Sequence, residues 1–158
     1  MLIRQAKESD IPKLLVLMKG LARFERYIDV FAVTEEKLLE QGFRRSPPDF
    51  HCFVAEEAEE LIGMVVYYFI PFTAIAKPTL FIKELFVTAE GRGKGTGKML
   101  MKAIAEVAVR KGCGAIKWQV APWNKDGIRF YEQLGAKTNR DWIDFGMSAD
   151  AARDLANS

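Results

Sequence analysis

The sequence predicts one mixed α/β domain over residues 1–158: a central twisted sheet, mostly antiparallel, with helices on both faces. Three observations carry this expectation. Apolar residues recur at helical spacing early in the chain, and a stretch rich in β-branched and aromatic residues begins at His51. A strand, a glycine-rich turn from Gly91, a helix and another strand then follow, a crossover order that normally leaves its two strands parallel.

Leu2 to Arg4 reads as a short first strand. Ser9 is the expected N-cap of a helix on which Ile11, Leu14, Leu15, Met18, Leu21 and Ala22 share a stripe. Thr34 caps a short second helix carrying Glu35, Glu36, Leu38 and Leu39, with Gly42 as its stop, and the Pro47-Pro48 segment reads as loop. Cys52 to Ala55, Leu61 to Phe69 and Thr79 to Val87 are three strands of an antiparallel meander, and the acidic run Glu56 to Glu60 is a solvated turn between the first two. On the clearest helix Met99, Leu100, Ala103, Ile104, Val107 and Ala108 share a stripe that Gly112 ends. A strand over Ala115 to Val120, a short helix capped by Asn124 and ended by Gly135, and a last strand at Trp142-Ile143-Asp144-Phe145 complete the order.

Composition narrows the function classes. Apolar residues make up 49% of the chain and charged residues 28%, the balance of a folded globular protein. A net charge of +2 gives no reason to expect nucleic acid or membrane as a partner. Cys52 and Cys113 are far apart and lack C-x-x-C spacing, so neither zinc nor a disulfide framework is expected, and a lone His51 is poor material for a metal site. No signal sequence is legible, and Pro71 breaks the longest apolar stretch, Ile62 to Phe72; the expected location is the cytoplasm.

The chemistry concentrates in Gly91-Arg92-Gly93-Lys94-Gly95-Thr96-Gly97-Lys98. Glycines between a strand and a helix can turn several amide N–H groups toward one point, where the helix dipole and the charges of Arg92, Lys94 and Lys98 add positive potential. A phosphate or pyrophosphate is the natural guest. A Walker A loop needs G-x-x-x-x-G-K-[ST], but Arg92 stands five before Gly97 and Met99 follows Lys98. A dinucleotide fingerprint begun at Gly93 and Gly95 needs a third glycine where Lys98 stands.

What remains, Arg92-x-x-Gly95-x-Gly97, resembles the cofactor motif of the GNAT acetyltransferase superfamily. Trp123-Asn124, Ile128, Phe130-Tyr131 and Gly135-Ala136 strengthen the likeness. It extends over nearly the whole chain and is closest to the polyamine and thialysine N-acetyltransferase branch, through Ile3-Arg4, Leu21 to Glu25, His51 to Glu56 and Val66 to Phe69. The resemblance implies an acetyl-CoA-dependent N-acetyltransferase acting on a small primary amine by direct attack in a ternary complex, as a homodimer. It also implies that Gly93, Lys94, Gly95, Thr96, Gly97 and Lys98, with Arg92, hold the CoA pyrophosphate. Leu85, Phe86 and Val87 would pair their backbone with pantetheine, and Asn124, Lys125, Asp126 and Gly127 would line the other side of the cofactor.

Acetyl transfer to an alkylamine, whose pKa lies near ~10, requires that a proton be taken from the nitrogen and another given to the departing sulfur. A carboxylate or a water relay could take the proton from nitrogen; Glu84, at the end of the central strand, is the first candidate, and strict alternation puts its neighbour Lys83 on the opposite strand face. Tyr131 matches the acid of the family. Phe24, Glu25 and Lys83 are the expected acceptor contacts, with two departures from the branch: Lys83-Glu84 replaces a pair of acids, and Phe24 replaces a tyrosine. Other readings are a peptide or protein N-acetyltransferase and a CoA-binding sensor without turnover. Trp118, Trp123 and Trp142 are read as packing residues.

Overall fold

The computed structural model describes residues 1–158. Contacts divide the chain into two units, Met1–Pro122 and Trp123–Ser158. The first contains β1 (Leu2–Gln5), α1 (Ile11–Phe24), α2 (Glu35–Leu39), β2 (His51–Glu57), β3 (Glu60–Ile70), β4 (Thr79–Val87), α3 (Thr96–Arg110) and β5 (Ala115–Lys117). The second contains α4 (Lys125–Gln133) and α5 (Ala149–Ala156).

One open sheet runs β1-β2-β3-β4-β5, antiparallel through β4 and parallel between β4 and β5, as the meander and the crossover require. Ile11, Leu14, Leu17, Met18 and Leu21 of α1 pack against Cys52, Val54, Met64 and Val66 on one face of the sheet. The other face receives α3. Gly63, which alternation turns away from the Met64 face, leaves so little room that a Cβ there would lie 3.2 Å from Leu100 and 3.3 Å from Thr96. Ala58 and Glu59, both left-handed, close the hairpin between β2 and β3, as expected for the acidic turn.

Several local expectations are corrected. Asp10, not Ser9, stands at the start of α1: a 3-10 turn over Glu8–Asp10 leads in, and the Asp10 carboxylate accepts the Lys7 N–H at 2.7 Å and two Arg4 nitrogens at 2.7 and 2.9 Å. Gly42 does not stop α2, because the backbone widens into a π-helical turn over Glu40–Arg44 in which Gly42 makes room for the Phe50 ring. On α3 it is Met101 that is buried while Met99 is exposed. The strand expected to Val120 ends at Lys117. Trp142-Ile143-Asp144-Phe145 is not a strand: so short a segment holds that form only beside a ladder partner, and the second unit contains no other strand. Trp142, Ile143 and Phe145 are 83%, 83% and 96% exposed.

Arg4 joins β1, the α1 entry and β2, since its Nε also donates to Glu56. Its hydrogen bonds hold the Asp10 carboxyl below the usual carboxylate range. Such a group stabilises the fold above its unfolded pKa of about 4, and the contribution is lost as pH falls through the lower folded value. Arg4→Met is expected to cost about 1.5–3 kcal/mol at pH 7 in urea unfolding, with a deficit that shrinks toward pH 3. A deficit independent of pH contradicts this role.

Candidate active site

The site starts from an irregularity in β4. Its register with β3 runs Tyr67↔Ile82 and then Val66↔Glu84, so Lys83 is an extra residue without a partner. In a regular strand Ile82, Glu84 and Phe86 would share one face. The bulge breaks that phase: Ile82 stays beside Tyr67, while Glu84 joins Val66 and Phe86 on the face that α1 covers. A Cβ on Gly20 of α1 would come within 2.9 Å of the Phe86 ring, which fixes the side on which these residues lie.

Glu84 is consequently drawn into the protein, and its Oε2 is buried with no hydrogen-bond partner. Burial pushes its carboxyl above the usual range, Lys83 draws it part of the way back, and Glu25 raises it again. Glu25 itself stands just past the end of α1, shifted up by desolvation and down by Lys83. Simple alternation does not apply to Lys83, which is the inserted residue between Ile82 on one face and Glu84 on the other. The bulge places one lysine charge within reach of both acids.

Tyr27 belongs to the same cluster and was not expected. Burial pushes its phenol up to about 12, with Glu84 and Glu25 adding to the shift. Its position follows from how α1 ends: Arg26 takes a left-handed φ of 65°, and the Tyr27 N–H returns to the Ala22 carbonyl at 2.8 Å. Glycine or asparagine normally marks such an ending in a sequence, and an arginine there hides it. The lone signal is a second aromatic three residues after Phe24.

Beyond the bulge the sheet opens. The β4–β5 ladder ends at Phe81↔Lys117, so the β5-facing edge of Leu85, Phe86 and Val87 has no strand beside it. Arg92 donates its Nε to the Val87 carbonyl at 3.1 Å, and its guanidinium lies 5.5 Å above the Phe24 ring. Arg92 thereby links the glycine turn to the end of α1.

The turn has the backbone form that an anion cradle needs. Gly93 and Gly95 have φ of 74° and 79°, where a side chain would cost about 1–2 kcal/mol. Thr96, 1% exposed, donates its hydroxyl to the Gly91 carbonyl at 2.8 Å and closes the loop. Gly95 is the N-cap of α3, and no side chain caps that end. The amides of Gly97 and Lys98 therefore have no carbonyl one turn back. Lys94 is engaged by Glu57 at 2.6 Å, and Lys98 is exposed. These features fit a pyrophosphate.

In the second unit, Asn124 caps α4 by accepting the Gly127 N–H at 3.0 Å, as expected. A Cβ at Gly127 would strike that side chain, which accounts for the glycine. Lys125 and Asp126 occupy the first turn of α4, and Tyr131 lies on the same helix with its ring 5.2 Å from that of Phe130.

The acetyltransferase (GNAT) family model matches residues 18–136, a span that includes both the bulged strand and the cradle. The chain belongs to the GNAT acetyltransferase family. It is 35% identical to a thialysine N-epsilon-acetyltransferase of Sus scrofa over 98% of this chain and 96% of that one. It is 28% identical to the L-ornithine N5-acetyltransferase NATA1 of Arabidopsis thaliana, covering 97% of this chain and 86% of the other. Among solved structures, an aminoglycoside acetyltransferase from an uncultured soil metagenomic sample, bound to sisomicin, shares the fold with a TM-score of 0.77 at 20% identity, covering 93% and 95% of the two chains. This GNAT protein is an N-acetyltransferase.

In the acetyltransferase, a raised folded pKa means that Glu84 binds its proton more tightly when folded, so it costs stability as pH rises through that value. Glu84→Gln is expected to unfold later in urea at pH 7, by about 1 kcal/mol, with the gain vanishing toward acid pH. A loss of stability at pH 7 would mean that the carboxylate has a partner.

Proposed function

We propose that this chain acetylates a primary amine of a small molecule, polyamine-like or thialysine-like, using acetyl-CoA in a ternary complex. The observation that carries the reading is a buried, unpartnered Glu84 carboxylate that shares its surroundings with Glu25 and Tyr27, on the strand whose edge is left open by β5. The names of the thialysine and L-ornithine enzymes support a small amine as acceptor.

Each residue then has a task. The amides of Gly93 to Lys98, with Arg92, hold the pyrophosphate of acetyl-CoA, and Leu85, Phe86 and Val87 offer backbone groups to its pantetheine arm. Asn124, Lys125, Asp126 and Gly127 border the same ligand. Bound acetyl-CoA supplies the activated acetyl group as a thioester. Glu84 Oε2 takes the proton of the acceptor amine as its nitrogen bonds to the acetyl carbon and the carbon–sulfur bond breaks. Its raised pKa brings it closer to that of the amine than an exposed glutamate would be. The Tyr131 phenol gives its proton to the departing sulfur. Phe24, Glu25 and Lys83 contact the acceptor. Residues 1–158 act as one domain in a cytoplasmic homodimer, to which the exposed Trp142, Ile143 and Phe145 offer apolar area.

Incubation with acetyl-CoA and a panel of amines, followed by release of free thiol, tests the reading; acetyl-CoA binding without thiol release on any amine contradicts it. Tyr131→Phe is expected to lower turnover roughly tenfold or more while acetyl-CoA affinity holds. In the pH profile of kcat/KM, the acid limb is expected above the usual glutamate range, since Glu84 must be ionised to act and burial raises its pKa. Glu84→Gln should lower kcat about 100-fold and abolish that limb; a retained limb assigns the proton transfer to another group.

A further inference from the structure

Lys83 is the one charged residue of the acceptor region that the small-amine reading alone does not explain. A pocket built only to draw in a cationic amine gains from Glu25 and Glu84 and loses from an added cation. Solvated surface lysines are common, and a lysine on the far side of a regular strand would carry no meaning. The bulge removes that explanation, because Lys83 is the inserted residue itself, unpaired with β3 and next to Glu84. Its side chain is exposed, with no ion pair to either acid. Glu84 points to the α1 face, where Glu25 closes the end of α1. The site therefore presents a buried acid, an acid at the rim, and a free cation at the bulge between the strand and solvent.

We propose that Lys83 binds a carboxylate carried by the acceptor, so that the site selects basic α-amino acids over diamines and polyamines of the same reach. This rests on the small-amine acetyltransferase reading and names the acceptor within it. The zwitterionic end of a basic amino acid matches the rim in both signs: Lys83 pairs with the α-carboxylate and Glu25 with the α-ammonium. The side-chain amine then reaches inward to Glu84. A diamine has the same inner amine but brings a second cation toward Lys83 without the anion that offsets it.

The test is a ratio measured on matched acceptors. L-Lysine is compared with cadaverine and L-ornithine with putrescine, each pair differing by the α-carboxylate, with kcat/KM taken at saturating acetyl-CoA. The wild type is expected to favour the amino acid at least tenfold within each pair. Lys83→Met should bring the ratio near one, Lys83→Glu should reverse it toward the diamine, and Lys83→Arg should retain it. A mere structural role for Lys83 would change both members of a pair alike. A ratio that stays the same in Lys83→Met and Lys83→Glu overturns the proposal while leaving the small-amine reading intact. Failure to acetylate all four amines, with acetyl-CoA bound, overturns both.

Discussion

One extra residue in β4 sets the surroundings of Glu84. Regular pairing through Ile82, Glu84 and Phe86 would keep all three side chains on one face. The insertion of Lys83 opposite the Val66–Tyr67 step turns Glu84 and Phe86 toward α1 while Ile82 remains on the other side. A carboxylate is thereby taken out of water and placed beside the end of the first helix. The hydrophobic cluster that α1 forms with β2 and β3 keeps it there, since Phe86 cannot leave that cluster without losing its packing against Gly20.

The same place in the sheet is where the strands separate. Ladder bonds between β4 and β5 stop at Phe81, two residues before the bulge, and a bulge sharpens the local twist of its strand. Past that point β4 has one paired edge and one open edge, and the glycine turn follows directly from its end. Arg92 connects these parts through the Val87 carbonyl and the Phe24 ring. The open strand edge, the glycine turn and Glu84 thus belong to one short segment, Lys83 to Lys98, to which the end of α1 adds Glu25 and Tyr27.

The sequence revealed elements with strong periodicity or strong punctuation. The meander, the α3 stripe apart from Met99, the glycine turn with Gly93 and Gly95, the Gly112 stop and the Asn124 cap were legible because each rests on local chemistry. What stayed hidden depends on partners distant in the chain. A bulge is visible only when β3 is laid beside β4, so alternation would leave Glu84 on the face of Ile82 instead of the face of Val66. Tyr27 was missed because Arg26 adopts a conformation that the sequence usually signals with glycine. Asp10 displaced Ser9 as the start of α1 because Arg4, on another element, clasps its carboxylate. Trp142 to Phe145 is rich in aromatic and β-branched residues as a strand would be, but the second unit has no strand to pair with it.

The most direct measurement is the titration of the Glu84 side-chain carboxyl carbon by NMR in carbon-13-labelled protein without ligands. A buried, unpartnered carboxylate turned inward by the bulge should titrate above the ordinary glutamate value of 4.5, and its midpoint should fall when Glu25 is replaced by Gln. An ordinary midpoint that is indifferent to Glu25 would mean that Glu84 faces solvent, and the site as described would not exist.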